Sequence, residues 1–155
     1  MRKRQRQRQF LVGMVGVFLL IIIVLILNLI FSFGKDTAAG TVHQFYEYEQ
    51  DGDFGRSWEL LHPVMQEKFG RSAYFQDKAH VFIGHFGAET FSYEVSDSKK
   101  LKDWRMEKEG EVFETVYEFE VELTYHGKYG HFLYIQYVYV VKEEKEWMIL
   151  WDYKK

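Results

Sequence analysis

Residues 115–125 read TVYEFEVELTY and alternate between apolar and polar side chains with a period of two. Three glutamates and a threonine separate five apolar or aromatic residues: Tyr117, Phe119, Val121, Leu123 and Tyr125. Successive side chains of an extended strand point to opposite faces, so this pattern predicts a strand with one buried and one exposed face. Residues 131–141, HFLYIQYVYVV, are apolar at almost every position, which is typical of a central strand.

Shorter stretches around this pair continue the same period. They are ETFSYEV (89–95), KDWRMEK (102–108) and WMILWDY (147–153). Upstream the spacing is helical: Asp36 or Thr37 is expected to cap a first helix, Asp53 a second, and Pro63 to open a third. Helices followed by successive strands with short links predict an α+β fold, with N-terminal helices packed on a curved antiparallel sheet.

The loop lengths suggest how the three long strands pair. If HGKYG (126–130) and KEEKE (142–146) are five-residue loops, Tyr125 lies opposite His131 and Val141 lies opposite Trp147. The odd-numbered residues of all three strands then share one face, because side chains alternate strictly along a strand. We expect the helices to cover this face, which holds Tyr117, Phe119, Val121, Leu123, Leu133, Ile135, Tyr137, Tyr139, Val141, Trp147, Ile149, Trp151 and Tyr153.

The opposite, even-numbered face combines acidic and apolar residues. It holds Glu118, Glu120 and Glu122 together with Val116, Tyr134, Val138, Val140, Met148 and Leu150. A contiguous exposed apolar patch usually marks a contact site, so this face is a candidate protein-binding surface. The alternatives are ordinary β-propensity on a solvated face, or cover from one of the early strands.

The N-terminus has a different character. Five basic residues precede an uncharged run from Phe10 to Phe33: Arg2, Lys3, Arg4, Arg6 and Arg8. As a helix this run would be about 36 Å long, enough to cross a bilayer, and the basic cluster favours a cytoplasmic N-terminus. We therefore expect a cytoplasmic tail (1–9), a transmembrane helix (10–33) and an extracytoplasmic domain (34–155). A cleavable signal peptide ending near TAAG (37–40) is the alternative, although its apolar region would be unusually long.

Charge and cysteine content narrow the partners of the exterior domain. Five of the 20 lysines and arginines, but none of the 23 acidic residues, lie in the tail, which leaves 15 basic and 23 acidic residues and a net charge of −8. This charge argues against nucleic acid and anionic lipid as partners of the domain. The chain has no cysteine, so no disulfide stabilises the domain.

The segment FYEYEQDGDFGRSWELLHP (45–63), followed by this order of strands, resembles the opening of the nuclear transport factor 2-like superfamily of α+β cones. The resemblance covers residues 37–153. It implies a strongly twisted sheet that wraps a helix, often with a pocket between them and with dimerisation through the outer sheet face. Members include isomerases, dehydratases, transport factors and domains without catalysis. Membrane-tethered versions occur in Gram-positive cell-envelope proteins and in scaffold subunits of conjugative secretion systems.

Candidate catalytic residues are few. The resemblance implies an Asp or His with a Tyr inside the cone, and Asp77, His80 and Tyr46 are the candidates. His80 and His85 are five residues apart, a spacing that separates side chains on an α-helix, and EQDGDFGRSWE (49–59) lacks ligands of a calcium loop. We expect no metal site and no cofactor.

The sequence as a whole predicts a single-pass, membrane-anchored extracytoplasmic binding or scaffold module. It is expected to act through a protein partner or a homodimer at the outer sheet face, in a cell-envelope or conjugative secretion complex, and without catalysis. The alternative is a small-molecule-binding or isomerase/dehydratase-like cone.

Overall fold

The computed structural model describes residues 14, 16–23, 37–85, 87 and 90–152. The chain divides into two compact units, residues 1–35 and 36–155. In the first unit, residues 16–23 are helical (α1). Among the described residues, no helix has both the length and the hydropathy needed to span a membrane. Most of the predicted span (10–33), and all five basic residues of the tail, lie outside the described residues.

The second unit begins with four α-helices and a π-helix. They are α2 (Ala38–Gln50), α3 (Phe54–Glu59), α4 (Pro63–Lys68), α5 (Arg71–Lys78) and the π-helix Ala79–His85. The predicted caps are confirmed, since the side chains of Thr37 and Asp53 accept backbone N–H groups at the starts of α2 and α3. Pro63 occupies the first turn of α4, where its missing N–H has no cost.

Five strands form one antiparallel sheet. They are β1 (Phe91–Val95), β2 (Lys99–Arg105), β3 (Val112–Gly127), β4 (Gly130–Glu143) and β5 (Glu146–Trp151). The order is β1-β3-β4-β5, and β2 pairs with the N-terminal part of β3 along the same edge as β1. The α+β prediction, with helices packed on an antiparallel sheet, is confirmed.

Helix α2 supplies most of the helical side of the core. Its apolar residues Val42, Phe45 and Tyr46 recur at helical spacing and are all at most 1% exposed. Phe45 contacts Trp151 of β5, and the Tyr46 hydroxyl donates a 2.9 Å hydrogen bond to Gln136 Oε1 of β4. The inner face of the sheet is therefore the face that carries Gln136 and Trp151.

Both predicted hairpin registers are wrong by one residue. Each hairpin closes with a two-residue turn rather than a five-residue loop, because Gly127 pairs with Gly130 and Glu143 pairs with Glu146. Tyr125 consequently lies opposite Phe132 instead of His131. A shift of one residue moves every side chain of a strand to the other face.

The two shifts exchange the faces on which the side chains of β4 lie. Odd residues of β3 and odd residues of β5 still share one face, as predicted. On the inner face, odd residues of β3 and β5 meet even residues of β4, as in the pairs of Phe119 and Trp151 with Val138. Five β4 residues assigned to the helix-covered face lie instead on the outer face: Leu133, Ile135, Tyr137, Tyr139 and Val141. Tyr153 lies outside the described residues.

Part of the outer face is itself covered. Trp104 of β2 stacks on Tyr139 of β4, with ring centroids 4.3 Å apart and planes at 27°. Leu150 pairs with Tyr139 and is fully buried, as is Val116 of β3. β2 and the start of β3 therefore extend the hydrophobic core over this end of the outer face. This is the cover from an early strand that the sequence left open as an alternative.

Candidate functional site

The residues of the predicted binding surface, on the even-numbered face of the sheet, do not form one exposed surface in the folded domain. Four of its apolar residues are fully buried: Val116, Val138, Val140 and Leu150. Val138 and Val140 point to the inner face because of the register shift, Met148 is half-buried, and Tyr134 is exposed on the helix side of the sheet. These residues therefore do not form the exposed apolar patch expected from the sequence. A binding role for the sheet stays a prediction.

The exposed apolar residues of the outer face come from β4 instead. Leu133, Ile135 and Tyr137 are 57%, 45% and 47% exposed, and they recur at every second position of the strand. Their partners across β3 are Thr124, Glu122 and Glu120. An apolar stripe thus runs beside an acidic one, and the register shift alone explains why the sequence assigned the stripe to the core.

The same part of β4 is also a sheet edge. β5 pairs with β4 only from Val138 to Glu143, and within the described part of the chain no strand pairs with residues 130–137 on the side away from β3. The outer edge of β5 is occupied in contrast, because Ile149 exchanges backbone hydrogen bonds with Leu60 and His62. Residues 130–137, which we call the β4 edge, carry no aspartate, glutamate, lysine, arginine or proline. These are the side chains with which proteins usually blunt an open edge.

The direction of the backbone groups on the β4 edge follows from β3. The N–H and C=O groups of Glu120 both bond to Ser96, on the side of β3 away from β4. Glu120 and its partner Tyr137 are therefore not joined by backbone hydrogen bonds, so the N–H and C=O groups of Tyr137 point away from β3. The backbone N–H and C=O groups of every second residue before Tyr137 in β4, including Leu133 and Ile135, also point away from β3. These residues present backbone groups to the open edge and side chains to the outer face.

The acidic side chains beside this edge are arranged as a row. Glu118 and Glu120 are half-buried, and the exposed Glu122 lies directly opposite the exposed Glu94 of β1. Two like charges in opposed positions are unfavourable and favour a nearby cation. A hydrogen bond to Glu120 raises the pKa of Tyr137 above its usual value, because it stabilises the neutral phenol. Glu118 already pairs with Lys99 at 3.8 Å, so Glu120 and Glu122 are the glutamates of this row that attract further positive charge.

A buried polar cluster, not anticipated from the sequence, joins α2, α3 and α5. Glu49 is 6% exposed and accepts hydrogen bonds from Ser57 Oγ at 2.5 Å and from the Tyr74 hydroxyl at 2.7 Å. Lys78 Nζ lies 2.5 Å from the other carboxylate oxygen. Burial, reinforced by the Glu49 charge, raises the pKa of Tyr74 well above its usual value. The position of Glu49 in the helical pattern of α2 does not predict such a cluster, because the partners of Glu49 lie on other helices.

The three candidate catalytic residues are not brought together as a site. Tyr46 is buried in the core on Gln136, and its pKa is raised by burial and by the Glu49 charge. Asp77 and His80 are exposed, at the end of α5 and on the π-helix. An open cavity of about 540 Å³ lies elsewhere, lined by Gly87, Thr90, Phe91, Ser92 and His126.

The geometric reason given against a histidine pair on this segment is wrong. His80 and His85 lie on a π-helix, whose i→i+5 hydrogen bonding brings residues five apart onto nearly the same side. Their Nε2 atoms are 2.9 Å apart, and their ring centroids are 4.4 Å apart. The spacing of the two histidines could not predict this contact, because five residues bring side chains together on a π-helix but not on the α-helix that was expected.

Fold and site together define an α+β domain with an open, uncharged strand edge beside an acidic stripe. Comparison with models of known protein families gives no match for this sequence. Comparison with curated proteins gives no match either.

Proposed function

We propose that this chain is a single-pass, membrane-anchored binding or scaffold module that acts outside the cytoplasm through protein–protein contacts. The observation that carries the proposal is the β4 edge, where backbone groups that no described strand pairs coincide with the exposed side chains of Leu133, Ile135 and Tyr137. The uncharged run from Phe10 to Phe33 behind a basic tail supports the anchor. The resemblance to tethered cones supports a place in a cell-envelope or conjugative secretion complex.

The contact is proposed to form by strand addition. An extended segment of a partner lies along the β4 edge and exchanges backbone hydrogen bonds with Leu133, Ile135 and Tyr137. Its alternate side chains pack beside Leu133 and Ile135 on the outer face and beside Tyr134 on the helix side. Main-chain bonds then supply much of the affinity, and the flanking side chains supply specificity.

Charge selects the partner. A second copy of this chain would bring another domain with a net charge of −8, whereas a basic segment is attracted. Lysines on the outer face of an added strand lie two strand spacings, about 10 Å, from the glutamates of β3. Their long side chains can extend over Leu133 and Ile135 toward Glu120 and Glu122. The proposed occupant is therefore an extended partner segment of alternating apolar and basic residues.

A pair of matched substitutions tests this proposal. Ile135→Lys places a positive charge on the β4 edge and should weaken binding of a twelve-residue peptide of alternating Val and Lys at least tenfold. Val112→Lys is the control, because Val112 is 43% exposed, close to the 45% of Ile135, but lies on the start of β3. Fluorescence anisotropy of the labelled peptide gives the affinities, and circular dichroism confirms that both variants are folded.

Three results would contradict the proposal. A peptide with Glu in place of Lys that bound equally well would show that the acidic stripe does not select the partner. Equal sensitivity to Val112→Lys would show that the β4 edge is not the contact. Dissociation of a stable dimer of this chain by Ile135→Lys would identify a second copy as the occupant instead.

The isomerase- or dehydratase-like alternative has less support. Val42, Phe45 and Tyr46 fill the space between α2 and the sheet, where the cone enzymes are expected to hold their substrate. The cavity beside His126 borders this core at Phe91, and its described lining contains none of the candidate catalytic residues.

A further inference from the structure

Two histidines face each other across the end of the β3–β4 hairpin. His126 and His131 are directly paired, one residue pair before the closing glycines, and both are exposed. Nδ1 of His126 lies 3.0 Å from Nε2 of His131, and the ring centroids are 4.1 Å apart with planes at 64°. The two-residue turn creates this pair, because a five-residue loop would have placed His131 opposite Tyr125 and left His126 in the loop.

The separation of the two nitrogens suits a metal ion. Zinc–imidazole bonds are about 2.0–2.1 Å long, so two ligands of a tetrahedral ion lie about 3.3 Å apart. The pair needs to open by only a few tenths of an ångström, a small adjustment for two exposed side chains. Both nitrogens must then be unprotonated, with each ring carrying its proton on the nitrogen that faces away.

The surroundings leave room for further ligands of the ion. His126 lines the open cavity of about 540 Å³ together with Thr90 and Ser92, so water or a partner's side chain can complete the coordination. Among the described residues, no group of three or more His, Cys, Asp or Glu side chains could hold a metal ion. The chain therefore contributes two ligands and leaves the remaining positions open.

Electrostatics favours a cation at this end of the sheet. Glu122 and Glu94 lie on the same outer face, four residue pairs along β3 from His126, so their charges act on the pair from about 13 Å away. Lys128 in the turn opposes them, although its amine lies over the Tyr129 ring, 5.1 Å from the centroid. The net charge of −8 on the exterior part adds to the attraction of cations.

We propose that His126 and His131 form a two-histidine site for a divalent late transition metal, such as zinc or copper. Imidazole suits these ions, and copper should bind more tightly than zinc because of the Irving–Williams order. The site goes beyond the proposed strand addition and does not depend on it. It lies at the tip of the same hairpin, so a bound ion with open positions adds an anchoring point for a carboxylate or histidine of a partner.

Isothermal titration of the full, untagged chain in detergent with ZnSO₄, and in parallel with CuSO₄, tests the site. We expect one ion per chain, reversal by EDTA, and at least a tenfold loss of affinity in both His126→Gln and His131→Gln. The loss occurs because a single imidazole remains. Both residues are exposed, so the variants should keep the circular dichroism spectrum of the parent chain.

The second histidine pair supplies the matched control. His80→Gln disrupts a pair with a similar nitrogen separation on the π-helix, and it should leave the affinity for the first ion unchanged. Loss of binding in His80→Gln, with unchanged binding in His126→Gln, would overturn the assignment. Absence of zinc and copper binding by the parent chain would overturn it as well. The Val/Lys peptide assay is separate, so failure of either proposal is distinguishable from failure of the other.

Discussion

Glu49 shows how a single buried charge can join three helices. Its carboxylate accepts two hydroxyl hydrogen bonds and pairs with Lys78, so its burial is compensated by charge-assisted contacts. The partners Ser57 and Tyr74 lie on α3 and α5, while Glu49 lies on α2. The cluster therefore fixes how the three helices pack against one another.

Removal of this carboxylate should destabilise the domain. Glu49→Ala removes the carboxylate that pairs with Lys78 and accepts hydrogen bonds from Ser57 and Tyr74, and loss of hydrogen bonds to a buried charge costs about 1.5–3 kcal/mol. Urea denaturation followed by circular dichroism measures the change in the free energy of unfolding. Glu47→Ala, an exposed acid on the same helix, is the control and should stay within about 0.5 kcal/mol of the parent chain. Equal effects of both substitutions would show that the cluster does not stabilise the helices.

At the scale of elements, the β3–β4 hairpin determines which side chains are available for binding. Its turn consists of Lys128 and Tyr129 between the paired Gly127 and Gly130. Gly130 has φ of +110°, a conformation that residues with a Cβ atom rarely adopt. The conformation at position 130 therefore requires glycine. The two-residue turn also sets the register of the hairpin, which exposes Leu133, Ile135 and Tyr137.

Substitution at Gly130 tests this dependence. Gly130→Val should lower the free energy of unfolding by about 1–2 kcal/mol, because an L-residue is strained at positive φ. It should also weaken metal binding by His126 and His131, whose opposition depends on the same register. Lys128→Ala, an exposed change in the same turn, should alter stability by less than about 0.5 kcal/mol. Unchanged stability in Gly130→Val would show that the turn tolerates another conformation.

The π-helix is the second element that the pattern of residues could not reveal. The interpretation of the His80 and His85 spacing assumed an α-helix, whereas residues 79–85 form a π-helix. The change from i→i+4 to i→i+5 bonding is not visible in the spacing of apolar residues, although it determines that His80 meets His85.

At the scale of the whole molecule, the proposed anchor determines where the folded domain works. The chain has no cysteine, so a single introduced cysteine is an unambiguous probe. Lys145→Cys lies in the exposed β4–β5 turn and should react with a membrane-impermeant maleimide on intact cells. Gln5→Cys in the basic tail should react only after lysis, because the positive charges hold that end in the cytoplasm.

The reverse labelling pattern would place the domain in the cytoplasm and contradict the proposed topology. Recovery of a shortened, soluble product from the medium would instead indicate cleavage near TAAG (37–40). Either outcome would leave the β4 edge and the histidine pair to be tested on their own evidence.

Local patterns in the sequence determined the class of the fold. The alternation in residues 115–125, the helical spacing of Val42, Phe45 and Tyr46, and the caps at Thr37 and Asp53 each depend on neighbours within one turn or strand. The three glutamates of β3 were also correctly assigned to the face opposite the helices, because they alternate with residues that had to be buried.

Only the tertiary structure decided which surface is open. The pairing register of each hairpin depends on the backbone conformation of its two-residue turn. A register shift of one residue moves the side chains of β4 from one face of the sheet to the other. Whether Leu150 is exposed depends on β2, whose Trp104 crosses the outer face to reach Tyr139. The open edge at residues 130–137 follows from where β5 ends, and the histidine pair follows from the turn. The cover from β2 is a relation between segments distant in the chain, which a local pattern of residues does not encode. The turns are local, but their backbone conformation is not visible in the alternation of apolar and polar residues.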